Sequence, residues 1–220
     1  VDTMSIAPHK FYGLNGSGWS PERLTWEALQ ARGLKEMPLR GWTPVMVPGA
    51  PAAWAELHGR FGRLPFADLF EPAIAYAAEG YAVMPNLACM FAEGETSFAP
   101  YRTEEAFQGL FSTFYPKGKA LKAGQILKLP DHARSLRLLA QSRCRDFYEG
   151  EMAEAMDAWA KKTGGYLRLA DLKEYKPQWV EPIHTSYRGY DVWEIPPNGH
   201  GLVVLMALNI ARGLDFAQRD

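Results

Sequence analysis

Val45-Met46-Val47-Pro48-Gly49-Ala50-Pro51-Ala52-Ala53-Trp54 joins a β-branched run to a helix-forming run through a Pro-Gly turn. Proline fixes φ and removes a backbone donor, so the extended run must stop there and a helix can start just beyond it. Two more glycine-punctuated turns stand far away in sequence, Tyr12-Gly13-Leu14-Asn15-Gly16-Ser17-Gly18 and Pro196-Pro197-Asn198-Gly199-His200-Gly201-Leu202. Three strand-to-helix junctions of this kind call for a mixed α/β fold in which short strands feed helices.

The rest of the chain fits that expectation. Residues 1–14 read as a strand or hairpin ending at Asn15-Gly16-Ser17-Gly18, where glycine permits positive φ. Pro21 suits the first turn of a helix to about Arg32, with Ser20 as its N-cap. The helix after Gly49 places Trp54, Leu57 and Phe61 on one face and stops at Gly62. Phe66, Leu69, Phe70, Ala73, Ile74 and Ala77 keep helical spacing across Pro72, which predicts a short helix, a break and a second helix ending at Gly80. Residues 93–125 are rich in aromatics and glycine and read as loops, wrapping a partner or covering a pocket.

Asp131 is a capping candidate for a helix through about Ser142. Gly150 precedes another, with Met152, Met156 and Trp159 aligned as core residues, and Gly164-Gly165 ends it. A short helix at 169–175, capped near Asp171, leads to strands within Ser186–Ile195 around Arg188-Gly189 and then a helix over 202–212. No repeat, low-complexity tract or linker breaks the pattern, so residues 1–220 are expected to form a single domain.

Charge and cysteine content exclude several classes. The 220 residues carry a net charge of −1, which offers no global attraction to nucleic acid or an anionic membrane, and neither is an expected partner. The clusters Lys117/Lys119/Lys122 and Arg134/Arg137/Arg143/Arg145 read as solvated surface. No run approaches the roughly 18 apolar residues of a membrane span. Cys89 and Cys144 are too few for a disulfide framework or a zinc site and read as small buried thiols. His9, His58, His132, His184 and His200 show no paired metal spacing, and no metal or cofactor is expected. Gly16-Ser17-Gly18 lacks the third glycine of a dinucleotide fingerprint, Gly118-Lys119 lacks the remainder of a phosphate loop, and a Gly-x-Ser-x-Gly elbow is absent. Val1-Asp2-Thr3-Met4 shows neither an initiator methionine nor a signal peptide, so an upstream segment is expected and the compartment stays open between cytoplasm and periplasm.

The turn at 196–201 has the most chemical promise. Two prolines fix the backbone after a strand, glycines allow main-chain approach to a ligand, and the following helix offers unpaired N–H groups and the positive end of its dipole. It suits a carboxylate or a developing oxyanion. The alternative is an ordinary strand-to-helix turn whose Asn198 satisfies its own backbone.

In order and spacing, several blocks resemble the large subunit of the γ-glutamyltranspeptidase family. They are Val45–Ala50, the run Gly62-Arg63-Leu64-Pro65-Phe66-Ala67-Asp68-Leu69-Phe70-Glu71-Pro72-Ala73-Ile74, Ala78–Tyr81, Gly124–Asp131, Phe147–Gly150, Gly164-Gly165, Asp171-Leu172, Tyr175, Glu181–Ile183 and Tyr187–Tyr190. The resemblance implies a four-layer αββα N-terminal nucleophile hydrolase sandwich, of which this chain supplies a helix-rich part. It implies a precursor that cleaves itself before a threonine, and a small subunit bearing that threonine as nucleophile, with its own α-amine as base. None of Thr3, Thr25, Thr43, Thr96, Thr103, Thr113, Thr163 or Thr185 sits in the nucleophile motif, so no catalytic residue is assigned within the chain. The implied partners are that small subunit and a small amide substrate, in a heterodimer that could pair into a dimer of heterodimers.

Two departures refine the resemblance. The arginine that grips a substrate α-carboxylate in the transpeptidases falls at Ser17, and a hydroxyl cannot replace a bidentate guanidinium. The family's Pro-Pro-Ser-Ser-Gly-Gly turn is here Pro196-Pro197-Asn198-Gly199-His200-Gly201. Both features resemble the cephalosporin-acylase-like and oxamate amidohydrolase branch. The candidate substrate-binding residues for a small acidic amide are Ser17, Asn198, Gly199, His200 and Gly201, with Arg40 or the N–H groups after Pro197 as receivers for its carboxylate; the alternative for Arg40 is an ordinary surface arginine. The rival readings are a true γ-glutamyl transferase or glutathione hydrolase, and a non-catalytic assembly or binding module of the same fold.

Overall fold

A computed structural model describes residues 10–214. Its helices are α1 (Trp26–Ala31), α2 (Ala50–Phe61), α3 (Glu71–Glu79), α4 (Pro85–Ser97), α5 (Gln108–Phe114), α6 (Pro130–Ser142), α7 (Asp146–Glu149), α8 (Glu151–Thr163), α9 (Leu169–Glu174) and α10 (Gly201–Arg212). The strands are β1 (Gly13–Asn15), β2 (Tyr81–Ala82), β3 (Ile126–Leu127), β4 (Gln178–Val180), β5 (Ile183–Tyr187) and β6 (Tyr190–Glu194). They form three antiparallel two-stranded ladders, β1 with β4, β2 with β3 and β5 with β6. Contacts among the described residues gather into two units, residues 18–175 and residues 10–17 with 176–214.

The larger unit is helical. Its first cluster packs Val47, Tyr148, Ala153, Ala160, Leu167, Leu172 and Tyr175. A second joins Phe66, Phe70, Ile74, Leu139, Ala140 and Cys144, and a third joins Val83, Leu121 and Leu127. α2 begins and ends where the sequence places it, and a 3-10 turn at Ala67–Phe70 leads into α3 with Pro72 in its first turn. Gly80 closes α3 at φ 96° and Gly164 closes α8 at φ 80°, conformations that cost a side-chain-bearing residue energy. Met152 and Met156 pack against the core clusters, as their spacing predicts.

Several local expectations fail for visible reasons. α1 starts at Trp26, not Pro21, with Thr25 Oγ1 accepting from the Ala28 amide. The buried Asp171 carboxylate takes the Glu22 amide at 2.9 Å, which holds residues 21–24 as a turn. Val45–Val47 joins no ladder. The Val47 amide donates to the Trp19 carbonyl, and the tract crosses residue 18 so closely that a Cβ there would lie 1.7 Å from the Val47 oxygen. Residues 93–125 hold the end of α4, α5 and short 3-10 turns where loops were expected. Their aromatics pack on one another, with Tyr101 stacked on Phe107 at 4.6 Å and Phe91 on Phe114 at 6.2 Å. Asp131 lies inside the first turn of α6, whose N-cap is Leu129. Cys144 is buried but Cys89 is exposed, and both are free thiols.

The smaller unit is built from pairings distant in sequence. The expected N-terminal strand appears as β1, which pairs with β4 in the register Gly13↔Val180 and Asn15↔Gln178; the part of that expectation covering residues 1–9 lies outside the described residues. The β5–β6 hairpin turns on Arg188 (φ 50°) and Gly189 (φ 86°), the left-handed pair that a two-residue hairpin requires. α10 packs on this hairpin through Leu205, and Thr185 Oγ1 donates to Asn209 Oδ1 at 2.6 Å.

Candidate functional site

Within the smaller unit the first and last glycine turns meet. β1 delivers Asn15 and β6 delivers the Pro196-Pro197 turn. Asn15 Nδ2 donates to Asn198 Oδ1 at 2.7 Å, and Asn15 Oδ1 accepts from the Ser17 amide at 2.9 Å. One amide side chain therefore closes the Ser17 turn and tethers the Asn198 turn. Asn198 spends its oxygen on Asn15, and not on its own backbone as a plain turn would.

The Asn198 turn runs into α10, whose N-cap is His200. No side chain caps the helix and the Val203 amide donates to the His200 carbonyl at 3.0 Å, so it is the Gly201 and Leu202 amides that stand beside the dipole's positive end. Glu194, the last residue of β6, lies against Gly201: a Cβ there would sit 2.6 Å from Glu194 Oε2. Glycine is needed at 201 to let this carboxylate in. Gly13 is similarly constrained, since its Cβ would meet the Val180 oxygen at 2.8 Å. Behind the turn, Trp193 is stacked between His184 (4.2 Å) and Phe11 (5.0 Å), an aromatic brace across the hairpin.

Of the residues expected from sequence, Ser17, Asn198, Gly199, His200 and Gly201 all belong to this unit. Arg40 belongs to the larger one. Its guanidinium lies 4.8 Å from the Phe98 ring, and it lines a cavity of about 280 Å³ with Trp42, Thr43, Tyr101 and Glu104. Sequence reading missed Asn15 and Glu194. Asn15 precedes a glycine and so advertises a turn, but its partner is 183 positions away. Nothing local marks Glu194, whose importance comes only from the space that Gly201 leaves.

The turn can therefore offer backbone donors to a polar ligand, with the Asn15–Asn198 pair fixing its shape. Among the described residues no cluster of three His, Cys, Asp or Glu side chains could hold a metal ion, and no helix is long and apolar enough to cross a membrane.

The helix-rich α+β architecture is that of the N-terminal nucleophile hydrolases, as its match to their solved structures shows. The chain belongs to the γ-glutamyltranspeptidase family, whose profile matches residues 3–220. It is similar to the cephalosporin acylase of Bacillus halodurans, with a TM-score of 0.92 and 49% identity, covering 96% of this chain and 40% of that one. The γ-glutamyltranspeptidase of Helicobacter pylori shares the fold at a TM-score of 0.86 and 24% identity, over 96% of this chain and 60% of that one. By sequence it is 33% identical over 208 residues to the glutathione hydrolase-like YwrD proenzyme of Bacillus subtilis (strain 168), covering 93% of this chain and 38% of the relative. It is 35% identical over 177 residues to the acylase ACY 1 proenzyme of Pseudomonas sp. (strain SE83), covering 80% of this chain and 31% of the relative. The chain thus spans about a third to two-fifths of the length of these curated relatives.

Proposed function

We propose that the chain is the large-subunit portion of an amidohydrolase in which a threonine on a second polypeptide, cut from the same precursor, attacks a small acidic amide and forms an acyl-enzyme. The carrying observation is the Asn15 bridge, which holds the Ser17 and Asn198 turns together beside the uncapped start of α10. On this reading Asn198, Gly199, His200 and Gly201 shape the place where the amide carbonyl becomes an oxyanion, with main-chain donors aimed at the charge as it develops.

Two features favour an acylase-like or oxamate-type amidase over a glutathione-type enzyme. Ser17 stands where the carboxylate-gripping arginine is expected, and Glu194 at Gly201 places a resident negative charge beside the turn. Identity points the same way, 49% to the cephalosporin acylase against 24% to the Helicobacter pylori transpeptidase. α10 also exposes Val203, Met206 and Ile210, the last at 70%, which supports cover by another polypeptide.

The test is reconstitution. Residues 1–220 alone should give no turnover, and adding the threonine-bearing chain should restore it, with oxamate or a glutaryl amide preferred over a γ-glutamyl anilide. Turnover by the isolated chain, or preference for the anilide, would overturn the reading. Ser17→Arg should improve γ-glutamyl affinity; no improvement would show that position 17 is not where the arginine belongs.

A further inference from the structure

We propose that the larger unit carries a phosphate-binding site, independent of the amidase reading, at a recess of about 520 Å³ lined by Arg23, Arg32, Gly164, Gly165, Tyr166 and Arg168. Three guanidinium groups line it and no carboxylate does. The whole chain has 24 basic and 25 acidic residues, so three guanidinium groups lining one recess are a local concentration of charge, not a reflection of composition, and of the three Arg168 also acts on the Asp157 carboxylate. Four other cations in this unit do make ion pairs: Arg102 with Glu95, Arg134 with Glu151, Lys161 with Asp157 and Lys162 with Glu105. Among the described residues none of Arg23, Arg32 and Arg168 makes an ion pair.

The recess is also held in shape. Asp171, 5% exposed, accepts the Glu22 amide on one carboxylate oxygen at 2.9 Å and the Arg168 amide on the other at 2.7 Å. That single buried carboxylate brings the backbone next to Arg23 against the start of α9, although the segments are nearly 150 positions apart. Arg168 Nη1 donates to the carbonyls of Gly165 (2.8 Å) and Leu167 (2.7 Å). Arg32 Nη1 donates to Tyr166 Oη at 3.0 Å, with its guanidinium 5.6 Å from the Tyr166 ring. Two of the three guanidinium groups are oriented before any ligand arrives, which lowers the entropy cost of binding, and each keeps further N–H donors to offer. Planar forks lining one recess suit the oxygens of a tetrahedral dianion.

The ligand is a phosphoryl group, either free phosphate or a phosphate monoester. The test is calorimetric titration of the full chain with inorganic phosphate at constant ionic strength, with phenyl phosphate and malonate as parallel arms. Saturable phosphate binding should weaken by roughly tenfold or more in Arg23→Gln and in Arg32→Gln, the worth of a charged hydrogen bond. It should be unchanged in Arg134→Gln, whose guanidinium pairs elsewhere. Tighter binding of phenyl phosphate assigns the site to an ester and the reverse to the free ion, and either supports it. No saturable heat, equal binding by the Arg32→Gln variant, or malonate binding as tightly as phosphate would overturn it. Neither readout depends on amide turnover.

Discussion

Tyr148 is the side chain on which the Pro48-Gly49 turn depends. Its hydroxyl donates to the Pro48 carbonyl at 2.8 Å and accepts from the Ala52 amide at 3.1 Å, while Gly49 gives α2 no side-chain cap. A phenol 100 positions away thus caps α2 and ties down the turn that precedes it. Burial pushes this phenol well above its ordinary titration range, so it stays protonated and keeps both roles at neutral and moderately alkaline pH. Tyr148→Phe removes only the oxygen and leaves the ring stacked on Tyr175 at 5.7 Å. The Pro48 oxygen and Ala52 N–H are then partnerless in a half-buried place, and one helix cap is lost. At about 1 kcal/mol for each group the cost is about 2–3 kcal/mol. For a chain of this size that lowers Tm by about 5–10 °C. Urea unfolding should show a lower midpoint at unchanged slope. Tyr148→Ala, which also empties part of the first core cluster, should cost about 3–5 kcal/mol or more. A Phe variant within about 0.5 kcal/mol of the parent, a change typical of an uninvolved surface site, would refute the claim that the hydroxyl holds the turn.

Gly18→Ala should cost more than about 4 kcal/mol because its Cβ would strike the Val47 carbonyl, whereas Gly109→Ala, with nothing within 4 Å, should stabilise by about 0.5–1 kcal/mol; thermal melts of the two would separate steric need from glycine content. Asp157 is held below its ordinary value of 3.8: burial pushes the other way, but hydrogen bonds from Lys161 and the Leu169 amide and the nearby cations outweigh it. Its contribution is therefore full above the unfolded value and disappears as pH falls through the folded one, so Asp157→Asn should flatten the loss of stability measured between about pH 5 and pH 2. Cys144 is buried and its thiol is pushed up to about 11, chiefly by burial. An aromatic disulfide reagent at neutral pH should label exposed Cys89 promptly and Cys144 only on unfolding; equal rates would show that the core around Cys144 opens freely.

What could be read from sequence was what neighbours in sequence decide. α2, α3 and α8 each pair a helical apolar period with a proline at the start or a glycine at the end, and the Arg188-Gly189 hairpin needs only its two turn residues. What could not be read depends on a distant partner. The Pro21 turn fails to become helix because Asp171 claims the Glu22 amide from 149 positions away. β1 needs β4, and β2 needs β3, strands of two or three residues with no alternation long enough to register. The aromatics after residue 93 looked like a covering loop because their partners are each other. At the site, the Pro-Pro-Asn-Gly-His-Gly turn was legible as a strand-to-helix junction, and Asn15, which gives it a fixed neighbour, was not.

The departures from the transpeptidase pattern become one argument once Glu194 is considered. A free α-carboxylate on a substrate is best held by a guanidinium, and on the proposed correspondence position 17 offers a hydroxyl-bearing side chain in its place. The same ligand set beside α10 would also face Glu194 across the space left by Gly201, and two carboxylates near one helix start repel each other. Missing attraction and resident repulsion act in the same direction, and specificity is built from such pairs. A neutral amide carbonyl meets neither penalty on arrival; as its oxygen takes up charge in the proposed reaction it gains from the first-turn amides of α10 and meets the same Glu194 repulsion, so the barrier falls only where those donors outweigh that carboxylate. On the proposed reading, the acidic end of the substrate is therefore held away from this turn, elsewhere in the assembled pocket.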